Sequence, residues 1–346
     1  MKKLNFIIKY GLALLLLSFY SCESWLNVTP SDRLSEEMLF NDREGFVKAL
    51  NGVYIELNTN ELYGRNLTVG ALDVMGQYYS VASSSHAFYN YGGLVYTGND
   101  EKALFDNMWQ KCYAVIACCN TIIEKCDENK AGLSPVWRGS IKGEALALRA
   151  MLHFDMLRLF GPLTSELDKE SIPYQTNSDQ TVTPLLSGSE VVGLILDDLK
   201  NAVGLLKDTD PYFVEEEFSD TDLNYRRFRM NYFAAKGLMA RVQLWGGDKE
   251  KAAATAKEVI AEGQAEGAEF FPFVTNSEAT SSNPDRVFYS EVLFGTYHSS
   301  REKLHEDLFA PTLESTSILT LAGTARRDDL YDNENDYRYS VWSTYN

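Results

Sequence analysis

Residues 141–163 of the chain read IKGEALALRAMLHFDMLRLFGPL, and this stretch decides the fold class. Its apolar residues recur three or four positions apart, at Ile141, Ala145, Leu148, Leu152, Met156 and Leu159. That spacing places them on one face of an α-helix. Gly161 and Pro162 predict the end of this helix, because glycine tolerates the positive φ of a C-terminal cap and proline cannot continue a helix.

The same helical period recurs along the rest of the chain, at 189–206, 231–245 and 249–261. Only residues 246–248 separate the last two runs, which predicts two antiparallel helices joined by a tight turn. Small residues suited to close helix packing stand at Ala240, Gly247, Ala252 and Ala256. Their spacing resembles the tetratricopeptide repeat, with a generic helical hairpin as the alternative. The sequence thus predicts an all-α fold of helix hairpins.

Four of the five cysteines lie in one apolar segment, 105–128, which reads FDNMWQKCYAVIACCNTIIEKCDE. On a helix, Cys112, Cys119 and Cys126 share one stripe with about 10 Å between neighbours, which is too far for a disulfide. The spacings also do not match a zinc motif. We interpret these three cysteines and Cys118 as reduced, buried apolar residues.

The amino terminus has the plan of a bacterial export signal. Three lysines precede the apolar run 11–17, which is too short for a spanning helix of roughly 20 residues. Ser21 directly before Cys22 resembles a lipobox. We therefore expect residues 1–21 to be a signal peptide that is removed, and Cys22 to be acylated. The alternative is a plain secretory signal with Cys22 incidental.

The composition fits a soluble body beyond that point, with 45% hydrophobic and 23% charged residues. A chain of 346 residues can hold one large domain or two smaller ones. Its formal net charge of −17 would repel nucleic acid and anionic lipid head groups. The sequence argues against a nucleic-acid partner, and we interpret the acidity as a solvated surface.

Paired carboxylates at Asp197-Asp198 and Asp328-Asp329 raise the question of glycoside hydrolysis. Neighbouring side chains on a helix point about 100° apart, so Asp197 and Asp198 cannot flank one bond as acid and base. We interpret them as a solvated face, and the second pair as partners of nearby arginines. The sequence has no HExxH motif and no Gly-x-Ser-x-Gly elbow. We expect no catalytic site, no metal and no cofactor.

Segment 77–100, QYYSVASSSHAFYNYGGLVYTGND, is rich in aromatic residues without helical spacing. Tyrosine faces stack on the apolar faces of sugar rings, while hydroxyl and amide groups bond sugar hydroxyls. The predicted ligand-binding residues are Tyr78, Tyr79, Phe88, Tyr89, Asn90, Tyr91, Tyr297 and Trp342. The alternative is an aromatic loop packed onto the helical body. Trp137 and Trp245 are assigned to the core.

Four segments, in order, resemble the SusD/RagB family of nutrient-binding outer-membrane lipoproteins. They are SCESWLNVTPSDRLSEEMLFNDREGFVKALNGVY at 21–54, GEALALRAMLHFDMLRLFGPL at 143–163, ILDDLKNAVGLL at 195–206 and FAAKGLMARVQLWGGDKEKAAATAKEVI at 233–260. The resemblance implies tetratricopeptide-like helix hairpins that support irregular, ligand-bearing loops. It also implies a non-enzymatic, lipid-anchored protein on the outer-membrane surface that delivers oligosaccharide or peptide to a TonB-dependent, SusC-like transporter.

Members of that family are typically longer and continue into a helix with a Pro-x-x-Arg-x-x-Glu motif. This chain stops at YRYSVWSTYN, residues 337–346. We therefore expect residues 22–346 to be the amino-terminal domain of such a protein, with the carboxy-terminal part missing. The alternative function is a helical-repeat scaffold that binds only proteins. An aromatic surface open to solvent would favour a glycan ligand, and burial of the same rings would favour the scaffold.

Overall fold

The computed structural model describes residues 36–179, 181–265, 268–321, 328–331, 333, 335–336 and 339. The predicted signal peptide 1–21, the predicted lipid site Cys22 and the ligand candidate Trp342 lie outside these residues. Within the described ranges, no helix combines the length and the apolar character that crossing a membrane requires.

Helices form most of the regular structure, which confirms the all-α prediction. Within the described residues they are α1 (Glu36–Leu39), α2 (Arg43–Leu57), α3 (Ala71–Met75), α4 (Tyr89–Gly92), α5 (Asn99–Glu128), α6 (Pro135–Phe160), α7 (Gly188–Thr209), α8 (Asp220–Asn224), α9 (Tyr232–Trp245), α10 (Lys249–Gly263), α11 (Asn276–Ala279) and α12 (Arg301–Leu308). Short 3-10 turns lie at Glu215–Glu217, Arg226–Phe228 and Tyr289–Glu291.

Three short antiparallel strand pairs complete the described elements. They are β1 (Tyr79–Ser80) with β6 (Thr320–Leu321), β2 (Glu170–Pro173) with β3 (Leu185–Ser187), and β4 (Gln264–Ala265) with β5 (Ala268–Glu269). In the first pair, Tyr79 lies opposite Leu321 and Ser80 opposite Thr320. This pairing joins two segments that are distant in the sequence.

Helix α6 begins at a cap that the sequence encodes and is buried around most of its circumference. Ser134 accepts a hydrogen bond from the N–H of Trp137 at 3.3 Å, and Pro135 occupies the first turn. Residues 143–150 are all buried, which spans more than two helical turns. The sequence indicated a single apolar face, so the pattern understated how deeply this helix lies in the core.

The same helix ends at Gly161 as predicted, but the predicted conformation is wrong. Gly161 has φ −84° and ψ 178°, which is extended and not left-handed. Glycine is required for another reason, since a Cβ at this position would lie 2.5 Å from the carbonyl oxygen of Leu157.

The long helices pack side by side around one main hydrophobic core. Helix α6 packs against both α5 and α7, α9 packs against α7, and α10 pairs with α9. The predicted α9–α10 hairpin is confirmed, with Gly247 at a φ of +91° in its turn. Ala240 and Ala252 on these helices are buried, and Ala256 is half-buried.

A second, smaller hydrophobic core lies under the irregular part of the chain. Its buried members are Ala71, Val74, Phe88, Tyr91, Leu308 and Leu319. These residues come from α3, α4 and the region around α12, so residues near 70–90 pack against residues near 308–319. The main helical core and this second core together position the site described below.

The cysteine prediction is confirmed for three residues and wrong for one. Cys112, Cys119 and Cys126 are completely buried on α5, and all four described cysteines are free. Cys118 is exposed. Its position next to Cys119 turns it about 100° away from the buried stripe, so one of the four thiols faces solvent.

The interpretation of Asp197 and Asp198 as a solvated face is correct only for Asp197. Asp197 is exposed and pairs with Lys200 at 3.3 Å. Asp198 is buried, and its two oxygens accept from Arg149 on α6 at 2.7 Å each. Tyr174 donates a third hydrogen bond to Asp198 at 2.6 Å. This satisfied ion pair joins α6 to α7 inside the core.

Candidate functional site

A cavity of about 470 Å³ lies between the segment that follows α2 and the start of α12. The first wall consists of Asn58, Thr59, Asn60, Glu61 and Arg65, and the second of His298, Ser299, Ser300, Lys303, Leu304 and Asp307. The two walls are far apart in the sequence. The second wall is held here partly by the second core, against which Leu304 packs.

Compact turns hold the first wall in place. The N–H of Asn58 donates to the carbonyl of Ile55 at 3.0 Å, and the N–H of Gly64 donates to Thr59 at 3.1 Å. The turn leaves no room for a side chain at Gly64, where a Cβ would lie 2.1 Å from the carbonyl oxygen of Asn58. Arg65 follows directly, so its backbone position is fixed before any ligand is present.

The first wall carries hydrogen-bonding capacity that the protein itself does not use. Within the part of the chain that the structure describes, Arg65 forms no ion pair, and its Nε is buried without an acceptor. Asn58 Oδ1 and Thr59 Oγ1 are likewise buried without a partner among these residues. Each such group costs about 1–3 kcal/mol while it stays unpaired.

The second wall is the beginning of α12. His298 Nδ1 accepts from the N–H of Ser300 at 3.1 Å, which fixes the turn before the helix. Lys303 donates to Asp307 at 3.1 Å one turn further on, while Leu304 packs against the second core. Lys303 and Asp307 thus supply charged groups to the cavity lining, while Leu304 fixes the helix against the second core.

The charges of the two walls balance. Glu61 and Arg65 lie on the first wall, and Lys303 and Asp307 lie on the second. Such a mixture of donors and acceptors suits hydroxyl groups, because each hydroxyl both donates and accepts. The cavity can thus bind a polar ligand that carries no large net charge.

Phe88 and Tyr91, both predicted to bind ligand, are buried in the second core. Their exposed fractions are 4% and 3%, and their ring centroids lie 5.9 Å apart in an edge-on arrangement. Burial raises the pKa of Tyr91 to about 12. The guanidinium carbon of Arg65 lies 5.5 Å from the Phe88 ring centroid. In this conformation Phe88 forms a floor beneath Arg65, and both rings are almost completely covered by protein.

His86 lies in the same floor. It is 5% exposed, and its Nδ1 accepts from the N–H of Phe88 at 3.0 Å. Burial lowers the pKa of His86, and the neighbouring Arg65 cation lowers it further. The ring therefore stays neutral near pH 7 and does not repel Arg65.

The other predicted residues of the aromatic segment divide between packing and exposure. Tyr79 is half-buried, with its ring 5.3 Å from Phe309. Tyr78 and Tyr89 are exposed, at 47% and 44%. Asn90 is exposed, but its amide donates to Glu101 at 2.8 Å.

Tyr297 is 60% exposed. Its ring centroid is 5.8 Å from that of Phe228, which belongs to neither hydrophobic core. In the sequence, Tyr297 directly precedes His298, which lines the cavity. It therefore stands next to the second wall, while Tyr78 and Tyr89 belong to the segment that packs beneath the first.

Sequence reasoning missed the residues that line the cavity, Arg65 and Lys303 above all. The segment around Arg65, NTNELYGRN at 58–66, has the Asn, Thr and Gly content of a turn, which signals a loop. Nothing local shows that this loop meets α12. The aromatic segment 77–100 contributes no residue to the lining of this cavity, although Phe88 contacts Arg65, and its role in ligand binding stays a prediction.

Residues 24–244, more than half of the chain, match the model of a family described as SusD-like, starch-binding and associating with outer membrane. Among curated proteins, the SusD-like protein P2 of Formosa agariphila is 25% identical over 265 residues. That alignment covers 75% of this chain and 46% of the relative. The chain thus spans less than half the length of this relative.

Solved structures show the same fold. A SusD-like carbohydrate binding protein from Bacteroides vulgatus has a TM-score of 0.65 at 21% identity, covering 87% of this chain and 60% of that protein. A SusD superfamily protein from Bacteroides thetaiotaomicron has a TM-score of 0.60 at 20% identity, with coverages of 86% and 63%. The all-α architecture with tetratricopeptide-like hairpins is common to these proteins.

Proposed function

This chain belongs to the SusD-like family, and from that membership we propose that it binds a glycan in the cavity between residues 58–65 and 298–307. The observation that carries the proposal is Arg65, a cavity-lining cation that meets no acid among the described residues. A guanidinium has five N–H donors in a fixed fork, so it can bond two neighbouring sugar hydroxyls at once.

The rest of the cavity suits the same ligand class. Glu61 and Asp307 offer carboxylate oxygens that accept hydrogen bonds from hydroxyl groups. A volume of about 470 Å³ lies within the range of small-ligand sites, about 300–1,000 Å³. We propose that the cavity holds a short segment of the glycan, and that the exposed rings of Tyr78, Tyr89 and Tyr297 contact the parts around it.

An arginine variant tests this proposal. Affinity electrophoresis in gels that contain amylopectin, dextran, xylan or polygalacturonate first identifies a glycan that retards the protein. We expect Arg65→Ala to weaken binding to that glycan by about tenfold to hundredfold, because a hydrogen bond to a charged group contributes about 1.5–3 kcal/mol. The melting temperature should change little, since Arg65 forms no ion pair in the described residues.

Arg301→Ala is the matched control, because Arg301 is an exposed arginine on α12 that does not line the cavity. It should leave the retardation unchanged. Equal retardation of Arg65→Ala and the wild type would place the site elsewhere. Release of shorter sugars from the glycan by the purified protein would contradict the non-enzymatic assignment.

The proposal extends to location and partner. Acylation at Cys22 would hold the protein on the outer membrane, where it would deliver the bound glycan to a TonB-dependent, SusC-like transporter. The family description, associating with outer membrane, supports this location. A protein-binding scaffold remains the second candidate, because the burial of Phe88 and Tyr91 is what that function predicted.

A further inference from the structure

Four aromatic rings outside both hydrophobic cores form one continuous surface, here called the aromatic shelf: Tyr225, Phe228, Tyr289 and Tyr297. Phe228 lies at its centre. Its ring centroid is 6.3 Å from that of Tyr225, 6.0 Å from Tyr289 and 5.8 Å from Tyr297. The rings of Tyr225 and Tyr289 are each tilted by 34° relative to Phe228, whereas the ring of Tyr297 meets Phe228 edge-on, at 89°.

The shelf is open to solvent. Tyr225 is 58% exposed, Tyr289 38% and Tyr297 60%. Exposed apolar area is unfavourable compared with buried area. A cluster of aromatic rings in this state is therefore more informative than a single exposed side chain, because such clusters mark binding surfaces.

Hydrogen bonds hold the backbone of the shelf in place. Arg227 donates to the carbonyl of Tyr289 at 2.8 Å, and its guanidinium carbon lies 5.0 Å from the Tyr289 ring centroid. The carbonyl of Arg227 accepts from the N–H of Gly295 at 3.0 Å. The preceding Arg226 is buried and bonded twice to Asp210, at 3.0 and 2.7 Å. The two segments that supply the rings are thus bonded to each other and to the core.

The shelf and the cavity share a stretch of chain, since the shelf residue Tyr297 directly precedes the cavity residue His298. We propose that the shelf is a second saccharide subsite, which stacks the sugar rings of the glycan that extend out of the cavity past Tyr297. Three of its four residues are tyrosines, whose hydroxyls bond sugar hydroxyls while the ring faces cover the C–H faces. This inference rests on the proposed function and adds an exit direction for the ligand.

The consequence is a dependence of affinity on glycan length. A ligand just long enough to fill the cavity does not reach the shelf, whereas a longer one does. Replacing Tyr225 and Tyr289 together removes two stacking contacts. We expect Tyr225→Ala/Tyr289→Ala to bind the shortest oligosaccharide like the wild type, and to bind longer ones at least about fivefold more weakly, since each aromatic contact contributes roughly 0.5–1.5 kcal/mol.

The measurement is calorimetric titration with a length series, from disaccharide to octasaccharide, of the glycan that retards the wild type. Phe273→Ala is the matched control, because Phe273 is 62% exposed and not part of the shelf. It should follow the wild type at every length. Circular dichroism melting checks that all variants fold, which their exposure favours.

Each other outcome overturns the proposal in a recognisable way. If the shelf variant binds oligosaccharides of every length as tightly as the wild type, the shelf is not a saccharide subsite. The surface would then be a candidate for contact with a protein. An equal loss at all lengths would show that the two tyrosines act within the cavity or on the fold. If Arg65→Ala loses binding and the shelf variant does not, the proposed function stands and the shelf fails. If the wild type binds no glycan, both fail.

Discussion

Asp197 and Asp198 show how one position along a helix decides between surface and core. The two residues are adjacent on α7, yet Asp197 pairs with Lys200 in solvent and Asp198 is 7% exposed. The helical period explains why they differ, because consecutive side chains point about 100° apart. Periodicity could also have placed Asp198 on the same side as Ile195 and Leu199, both buried. The charge made a solvated position seem more plausible than a buried one.

This contrast gives a residue-scale prediction. We expect Asp198→Ala to lower the free energy of unfolding by about 3–5 kcal/mol, because it leaves the buried Arg149 cation without its carboxylate. Asp197→Ala is the matched control and should change it by no more than about 0.5 kcal/mol. Urea denaturation followed by circular dichroism measures both. Similar values for the two variants would show that the Arg149 pair does not stabilise the core.

Phe88 and Tyr91 show that sequence composition does not distinguish a packed aromatic ring from a ligand-binding one. The aromatic residues of their segment have no helical spacing, and the structure has the four-residue helix α4 there before α5 begins at Asn99. Phe88 lies beside the cavity residue Arg65. Composition is the same for a ring that packs and a ring that stacks on a ligand. The difference comes from Leu308 and Leu319, which cover the segment and are remote in the sequence.

At the scale of elements, glycines control how closely helices approach. A Cβ at Gly143 on α6 would lie 2.7 Å from Leu206 Cγ on α7, so this glycine permits the observed contact. A Cβ at Gly204 on α7 would meet nothing within 4 Å. Both glycines have the same low helix propensity, but only Gly143 is needed for the contact between α6 and α7.

We expect Gly143→Ala to destabilise the protein and Gly204→Ala to stabilise it. Overpacking a core typically costs about 1–3 kcal/mol, whereas replacing a mid-helix glycine by alanine gains roughly 0.5–1 kcal/mol where there is room. Thermal melts of the two variants should therefore shift in opposite directions. A rise in melting temperature for both would mean that Leu206 moves aside at little cost.

Helix periods were the most reliable information in the sequence. The predicted runs 189–206 and 249–261 correspond to Gly188–Thr209 and Lys249–Gly263. Their ends shift because side-chain caps, such as Ser187 with Glu190, set the first turn independently of the apolar pattern. Positions of helices follow from local spacing, while the cavity depends on contacts between distant segments and has no local pattern.

At the scale of the whole molecule, the proposed location depends on Cys22. We expect metabolic labelling with an alkynyl fatty acid to mark the protein, because an acylated cysteine carries chains that each contribute about 0.8 kcal/mol per buried methylene to membrane binding. Cys22→Ala should abolish the label and release the protein from the membrane fraction. Equal labelling of the variant would exclude this residue as the lipid site.

The two cavity walls are far apart along the chain, so the entropic cost of bringing them together depends on whether the helices between them are folded. Closing a loop of about 240 residues between Arg65 and Lys303 costs about 5 kcal/mol, apart from a constant term. The folded helices shorten that loop, because Leu293 packs on the main core and its carbonyl accepts from Asn231 at 2.7 Å. Only about ten residues then remain to Lys303, and the cost falls to about 2 kcal/mol. The folded helical bundle therefore holds the two cavity walls close together, so a variant that unfolds the bundle also removes the site.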